Sequence, residues 1–282
     1  MDSAPLRPIE TDADREFLSE PPHFSQPRTP DDLNVPWGAW DLVLLLVIAV
    51  AGSIVVGIIA VVIFSLFGVR PTAIQTSPHL QGILGVILQV ALDLGLLGYL
   101  ALQLRVGFRV PFWQTIGWRK LESGIIPRSL AYFALAVGGA IVSFLVIAAS
   151  NLNLPKTALP IDSVIQDRLS ALLFLLMAVL LAPIVEETIF RGYLYPVVAR
   201  SWGLVPGILV TGALFGLLHG PQLWGAWWQI GLLVGVGIVF SWVRALTQTV
   251  VASYFLHLGY NSFQFIAFLL STHFLKTMPG TH

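Results

Sequence analysis

Six ionisable side chains stand in stretches of this sequence where hydrocarbon rather than water is expected. They are Asp93, Glu186, Glu187, Arg191, His219 and His257. An ionisable group inside a membrane-spanning segment costs about 3 kcal/mol or more unless it has a partner. These residues therefore predict a functional site, and the adjacent carboxylates of Glu186 and Glu187 are its first candidates.

Helical spacing separates the roles of the two glutamates. Glu187 and Arg191 are four residues apart with the acid first, the arrangement that favours an ion pair on one helix face. This pair predicts a fixed, charged Glu187 and leaves Glu186 free to point elsewhere. His257 and Asn261 have the same spacing, so both are expected on one face of the last helix, one turn apart.

A stripe of small residues predicts the position of His219. The stripe consists of Gly212, Gly216 and Gly220. Such a four-residue repeat lets two helices approach closely, so His219 beside it is expected to face a helix rather than lipid. Glu186 and His219 lie almost equally far along the chain from Gly203, and a helix hairpin around that glycine would bring them to one depth.

One carboxylate, two imidazoles and a carboxamide could together hydrolyse an amide. Glu186 is suited to take a proton from water as a general base. The side chains of His219, His257 and Asn261 could stabilise the oxyanion on the attacked carbonyl group.

Each residue also has a structural interpretation. Glu187 and Arg191 could form a purely structural ion pair, and Asn261 could hold two helices together. The histidines could be packing residues, and Asp93 could cap a helix, form a pair or line the cavity. A simple topology also places His257 near the start of its helix and His219 near the end of its own, on opposite membrane faces. A kink at Pro196 or a later start to the fifth helix is then required to bring them level.

The composition is that of a membrane protein. Hydrophobic residues make up 56% of the 282 residues and charged residues 11%, against about 25% charged in a soluble domain, and mean hydropathy is +0.82. A formal net charge of +0 leaves no overall field to attract nucleic acid. Because the chain has no cysteine, thiolate catalysis, disulfides and cysteine-ligated metals are excluded.

Seven apolar runs approach or exceed the roughly 20 residues needed to span a bilayer. They cover residues 40–67, 80–104, 129–149, 170–199, 204–219, 226–243 and 249–270. Pro183 and Pro196 interrupt the fourth run, so we expect one kinked helix, or a membrane helix followed by an interfacial one. The predicted fold is an all-α polytopic membrane protein with a bundle of about seven to eight transmembrane helices.

The chain divides into four predicted regions. They are a disordered N-terminal tail at 1–38, three accessory transmembrane helices in 39–150, the core that carries the candidate site at 151–275, and a C-terminal tail at 276–282. Basic residues concentrate in the tail and the second loop, which predicts a cytoplasmic N-terminus. The tryptophans, Trp37 and Trp40 among them, fall at or beyond helix ends and predict an aromatic belt.

Three motifs on separate apolar helices point to a known family. They are Glu-Glu-x3-Arg at residues 186–191, Phe-x3-His at Phe215 and His219, and His-x3-Asn at His257 and Asn261. In order and spacing they resemble the CAAX protease and bacteriocin-processing family, which includes the type II CAAX prenyl endopeptidases. The resemblance covers roughly residues 170–270 and implies an all-helical intramembrane endopeptidase with its active site within the bilayer.

The resemblance also implies a role for each motif residue. Glu186 would activate water, His219 would assist it or bind a metal, His257 and Asn261 would bind the oxyanion, and Glu187, Arg191 and Phe215 would support them. Glu186, His219 and His257 could supply three ligands for a divalent metal such as zinc, with a fourth position open. Water activated by Glu186 without a metal is equally compatible.

The sequence therefore predicts hydrolysis of a peptide bond in a membrane-embedded or lipid-anchored peptide, as in CAAX-type or bacteriocin-type processing. The expected location is a prokaryotic plasma membrane, with the lipid bilayer as a partner and no nucleic acid. One alternative is a catalytically silent scaffold or immunity factor of the same fold. Another is a proton-coupled transporter that uses Asp93 and the two glutamates, although paired broken helices are not evident in the sequence.

Overall fold

A computed structural model describes residues 30–121, 125–149, 165 and 167–276. Within these residues there are nine α-helices and no strand, which confirms the all-α prediction. The helices are α1 (Ala39–Leu66), α2 (Pro71–Thr76), α3 (Pro78–Leu102), α4 (Phe112–Thr115), α5 (Ile125–Ala149), α6 (Arg168–Trp202), α7 (Leu204–Leu217), α8 (Trp227–Thr247) and α9 (Val250–Ser271).

The seven long helices coincide with the seven predicted apolar runs. In the described part of the chain, four helical segments are long and apolar enough to cross a membrane: Ala39–Leu66, His79–Gly107, Arg168–Trp202 and Trp227–Thr247. Two shorter apolar segments are Arg128–Val142 and Leu204–Leu217. The fourth predicted run is one continuous helix of 35 residues, α6, rather than two separate helices.

Helix α1 is the most lipid-exposed element. Within its 28 residues only Leu45 and Ala60 are buried, and apolar side chains project on nearly every side. Trp40 at its start is 85% exposed, as expected for an aromatic residue at a membrane interface. Trp37 does not fit the predicted belt, because it is 1% exposed and belongs to the core.

Polar side chains cap the helices that build the site. Asp167 accepts hydrogen bonds from the backbone N–H groups of Leu169 and Ser170, at 3.0 and 3.2 Å, and so fixes the start of α6. Thr249 accepts from Val251 N–H at 3.2 Å at the start of α9.

Helices α7 and α8 pack backbone to backbone through the predicted glycine stripe. A Cβ atom on Gly212 would lie 2.5 Å from the backbone nitrogen of Ile238, and one on Gly216 would collide with Val234. Gly220 lies beyond the end of α7, in a turn, so only two of the three predicted glycines make this helix contact.

Residues 31–38, here called the N-terminal strap, belong to the compact unit Asp31–His282. Trp37 stacks on Tyr193 with ring centroids 4.8 Å apart and donates from its indole N–H to the Tyr193 carbonyl at 2.9 Å. Arg200 donates to the carbonyl groups of Val35 and Trp37, at 2.6 and 2.9 Å. The predicted tail of residues 1–38 therefore ends too late, because the strap is folded against α6; residues 1–29 lie outside the described residues.

The start of α9 rests on the loop that contains α4. The Val250 N–H donates to the Gly117 carbonyl at 2.8 Å, and the Thr249 hydroxyl donates to the Arg119 carbonyl at 2.7 Å. The same loop packs on α6, since a Cβ on Gly192 would lie 2.6 Å from Ile116. Helix α9 therefore begins beside the part of α6 around Gly192 instead of at the end of α6. This placement brings His257 to the depth at which α7 ends, without a later start to α7.

Candidate active site

The candidate site is built around two wide turns in α6. The helix takes π geometry at Met177–Leu181 and again at Thr188–Leu194. Pro183 and Pro196 follow these segments by two residues each, and a π turn accommodates the missing N–H and the bulk of a proline ring. The short α-helical piece between them, Ala182–Glu187, carries both glutamates. The two prolines are therefore accommodated by two π segments within one helical segment.

Glu187 lies at the centre of a fully buried polar cluster. Arg191 donates to Glu187 Oε1 at 2.9 Å, and both side chains are 0% exposed, so the predicted ion pair forms. His257 Nδ1 lies 3.0 Å from the same oxygen. Arg191 also donates to the Gly237 carbonyl at 2.8 Å, and its guanidinium carbon lies 4.6 Å from the centre of the Phe215 ring. The cluster thus links α6, α8 and α9 to the aromatic ring at the end of α7.

Glu186 is the carboxylate that opens to the cavity. Its side chain is 27% exposed, against 0% for Glu187. Its Oε2 lies 3.6 Å from His257 Nε2, so the imidazole of His257 stands between the two carboxyl groups. Glu186 is thus more open than Glu187, but both glutamates face one histidine, which spacing alone did not predict.

The orientation of His219 is set by its own helix. Its Nδ1 lies 2.8 Å from the Phe215 carbonyl oxygen. Because a carbonyl oxygen only accepts, Nδ1 carries the proton, and Nε2 of the neutral ring is left as an acceptor. The centre of the Phe215 ring lies 4.9 Å from the centre of the His219 ring and 5.5 Å from that of His257. Phe215 therefore contacts both imidazoles.

Asn261 is tied to the first π segment. Its amide Nδ2 donates to the Ala178 carbonyl at 2.8 Å. A π turn frees backbone carbonyl groups from the usual helical pattern, which explains why this one accepts from a side chain. One amide hydrogen of Asn261 is committed in this way, so only the second can serve the predicted oxyanion role.

These side chains surround one cavity of about 510 Å³. Glu186, Phe215, His219, His257 and Asn261 all line it. The rest of the wall is mainly apolar, as in most small-molecule and peptide pockets. The convergence required by the sequence prediction is therefore present, with residues from α6, α7, α9 and the turn after α7.

A family comparison covers the segment that carries this cavity. Residues 168–263 match the family model described as type II CAAX prenyl endopeptidase Rce1-like. The similarity extends over 96 of the 282 residues. The match spans α6, α7, α8 and the first part of α9, whereas α1 to α5 lie outside it. No curated protein and no solved structure matches the chain. The similarity of this segment to type II CAAX prenyl endopeptidases, together with the apolar helices, indicates an integral membrane protein that contains a CAAX-protease-like segment.

The predicted metal ligands do not form a ligand set. Among the residues that the structure describes, no three His, Asp or Glu side chains are grouped so that they could hold a metal ion. His257 Nδ1 is engaged by Glu187 and His219 Nδ1 by the Phe215 carbonyl, which leaves one nitrogen of each ring for other partners. As placed in the structure, Glu186, His219 and His257 are therefore not grouped in the way that the predicted zinc site requires.

Several cavity residues were not identified by sequence reasoning. Gln89, Gln222, Gln264 and Phe240 line the cavity but belong to none of the three Rce1-like motifs. Asp93 lies one turn from Gln89 and is 5% exposed. Gln89 could have been found from the sequence, because it lies four residues before Asp93 on the same helix face. Nothing in the sequence places Gln222 or Gln264 beside the site.

Proposed function

We propose that the protein is an intramembrane endopeptidase in which Glu186 activates a water molecule against a peptide bond bound in the cavity. The observation that carries the proposal is the different exposure of the two glutamates. Glu187 is sealed behind Arg191 and His257, while Glu186 opens into a cavity that two histidines and an asparagine also line. A carboxylate beside bound water and polar donors is the arrangement that general-base hydrolysis requires.

Glu186 is the one protein group that accepts and returns a proton in the proposed reaction. Glu186 accepts a proton from water while the water oxygen bonds to the carbonyl carbon of the substrate. The tetrahedral intermediate then collapses and the C–N bond breaks. Glu186 returns the proton to the departing amine nitrogen, which regenerates the Glu186 carboxylate and releases a carboxylic acid and an amine. The acid then passes its proton to the amine, so that the products leave as a carboxylate and an ammonium group.

The other residues hold the water and the developing negative charge. His219 Nε2 accepts a hydrogen bond from the second O–H of the water, and the free amide hydrogen of Asn261 donates a hydrogen bond to the oxyanion. His257 faces Glu186 through Nε2 and is held in place by Glu187 and Arg191, which act as positioning residues. This assignment moves His257 from the oxyanion role expected from the sequence to a role beside the base.

The substrate that fits this proposal is a membrane-associated peptide. The family description points to CAAX-type processing, and the bacteriocin-type alternative uses the same chemistry. We place the protein in a prokaryotic plasma membrane with its N-terminus in the cytoplasm, following the distribution of basic residues.

The test compares wild type with Glu186→Gln on a library of quenched peptides in detergent. We expect wild type to cleave members of the library and Glu186→Gln to be slower by about 10³-fold, since general-base catalysis contributes about 10²–10⁴-fold. Asp31→Asn, a change at an exposed carboxylate in the strap, is the matched control and should retain full activity. Equal cleavage by wild type and Glu186→Gln would overturn the mechanism.

A chelator arm addresses the metal. Water activated by Glu186 alone predicts that cleavage persists after dialysis against a chelator. Loss of cleavage that added zinc restores would instead assign Glu186, His219 and His257 as metal ligands.

A further inference from the structure

The wall that α3 contributes to the cavity is not used by the proposed mechanism. Gly85 and Gln89 line the cavity from this helix, and Asp93 follows one turn further along the same face. Helix α3 also packs against the segment Ala182–Glu187 of α6, which carries the general base Glu186. None of these residues lies in the segment that matches the family model.

The hydrogen bond between Gln89 and Asp93 fixes the orientation of the Gln89 amide. Gln89 Nε2 donates to Asp93 Oδ1 at 2.8 Å. An ionised carboxylate only accepts hydrogen bonds, so the amide nitrogen must face Asp93 and the amide oxygen must face away from it. Because Gln89 lines the cavity and Asp93 does not, the amide oxygen is the atom left to meet a bound molecule.

Asp93 itself is an expensive residue for a purely structural contact. It is 5% exposed, and its Oδ2 has no hydrogen-bond partner among the described residues. A buried carboxylate with one satisfied oxygen costs stability. The contact that Asp93 does make is the one that orients Gln89.

The chemistry of the wall indicates what Gln89 would bind. The described residues that line the cavity include three glutamines, Gln89, Gln222 and Gln264, and among them there is no lysine or arginine. The backbone N–H groups of a peptide need acceptors when they leave water, and most of the wall is apolar.

We propose that Gln89, oriented by Asp93, is a substrate-binding residue that accepts a hydrogen bond from a backbone N–H of an uncharged peptide segment next to the scissile bond. Asp93 is a positioning residue, since it acts through Gln89. The inference rests on the proposed endopeptidase function and adds a substrate class to it: extended, uncharged segments that continue on both sides of the cleaved bond.

Cleavage kinetics provide the first test. The probe is the quenched peptide that wild type cleaves best, made with an amidated C-terminus. We expect Gln89→Leu and Asp93→Leu each to raise KM about 5- to 10-fold with kcat within about twofold, the effect of one lost hydrogen bond. Gln114→Leu, at an exposed glutamine outside the cavity, should leave both constants unchanged. An unchanged KM in Gln89→Leu would overturn the inference.

Binding provides a second test that does not need catalysis. A dansyl-labelled copy of an apolar ten-residue peptide amide is titrated into Glu186→Gln, and a set of copies carries a single N-methyl group at each backbone position in turn. We expect N-methylation at one position to weaken binding about 5- to 10-fold in Glu186→Gln, and to have no further effect once Gln89→Leu is added.

The two tests distinguish the possible failures. Binding that depends on Gln89 without cleavage by wild type would contradict the endopeptidase and retain the binding residue. Cleavage by wild type with N-methyl effects that are the same with and without Gln89 would retain the endopeptidase and remove Gln89. Melting curves for Asp93→Leu separate misfolding from a change in binding.

Discussion

Two buried pairs of an arginine and a carboxylate in the described part of the chain invite comparison, because only one adjoins the cavity. Arg191 and Glu187 are 2.9 Å apart with both side chains 0% exposed. Arg244 and Asp32 are 2.6 Å apart, with side chains 1% and 4% exposed. Arg244 lies over the Tyr195 ring at 5.5 Å, much as Arg191 lies over aromatic rings. In burial and geometry the two pairs are almost equivalent.

The two pairs differ in the further contacts that each carboxylate makes. Glu187 Oε1 also holds His257, whose other ring nitrogen faces Glu186 at the cavity. Asp32 belongs to the N-terminal strap, so its pair fastens the strap to α8. A buried ion pair is therefore weak grounds for inferring function. The stronger indication is a second contact that leads from the pair to a group open to the cavity.

Neutralising each carboxylate should separate the two pairs. Glu187→Gln and Asp32→Asn each leave a buried arginine without its counter-charge, and we expect each to destabilise the protein by about 3–5 kcal/mol. Glu187→Gln should also lower kcat per folded molecule by about 10- to 100-fold, because His257 loses the group that orients it. Asp32→Asn should leave kcat per folded molecule unchanged. Melting in detergent and peptide cleavage, normalised to folded protein, measure the two effects.

The comparison fails if both variants lose kcat equally, since the strap would then be part of the catalytic apparatus. It also fails if Glu187→Gln retains full kcat, because His257 would not depend on Glu187. Asp31→Asn, one residue from Asp32 but exposed, is the matched control for the strap.

Helix α8 contacts both pairs. A substitution where α8 packs on α7 should therefore disturb both pairs, with a smaller effect than loss of a carboxylate. Arg191 bonds to the Gly237 carbonyl of α8, and Arg244 belongs to that helix. A Cβ on Gly212 would meet the backbone of Ile238 at 2.5 Å, so Gly212→Ala should push the helices apart and cost about 1–3 kcal/mol. Activity should fall with stability, because both pairs shift together.

Gly231→Ala is the control for this change. A Cβ at Gly231 has nothing within 4 Å, and alanine is the better helix former by about 1 kcal/mol. Its melting temperature should stay the same or rise. Equal melting temperatures for Gly212→Ala and Gly231→Ala would show that the glycine contact does not hold α8 in place.

The contrast between the pairs also explains what the sequence could predict. Glu187 and Arg191 are four residues apart on one helix, so local spacing was enough. Asp32 and Arg244 are separated by most of the chain, and their pairing depends on how the strap packs, which no local pattern encodes. The three motif helices, the motif residues at the cavity and the helix contact through Gly212 and Gly216 follow from periodicity and motif order. The positions of Gln222 and Gln264 at the cavity do not. The link from His257 to both glutamates follows from the depth at which α9 starts, which the Gly117 loop sets.

The smallest effect is expected at an exposed carboxylate contact, Asp167 with His79, 3.1 Å apart and with side chains 28% and 51% exposed. Asp167 lies just before the membrane-spanning part of α6. Partial burial acts to raise its pKa, but hydrogen bonds from Ser170, His79 and Leu169 outweigh this and hold the pKa below its usual range. A lowered pKa means that the ionised carboxylate stabilises the fold above its ordinary pKa of about 3.9, and that this contribution is lost as the pH falls through the lower folded value.

Asp167→Asn tests this contribution, because asparagine caps a helix about as well as aspartate and removes only the charge. We expect Asp167→Asn to lower the folding stability by less than about 1 kcal/mol at pH 7. This loss should shrink as the pH falls from 5 towards 3. The melting temperature in detergent measures it. Cleavage by the variant should match wild type at pH 7. A loss at pH 7 as large as that of Asp32→Asn would contradict the claim that burial sets the strength of these contacts. A loss that does not change with pH would assign the effect of Asp167 to capping instead of charge.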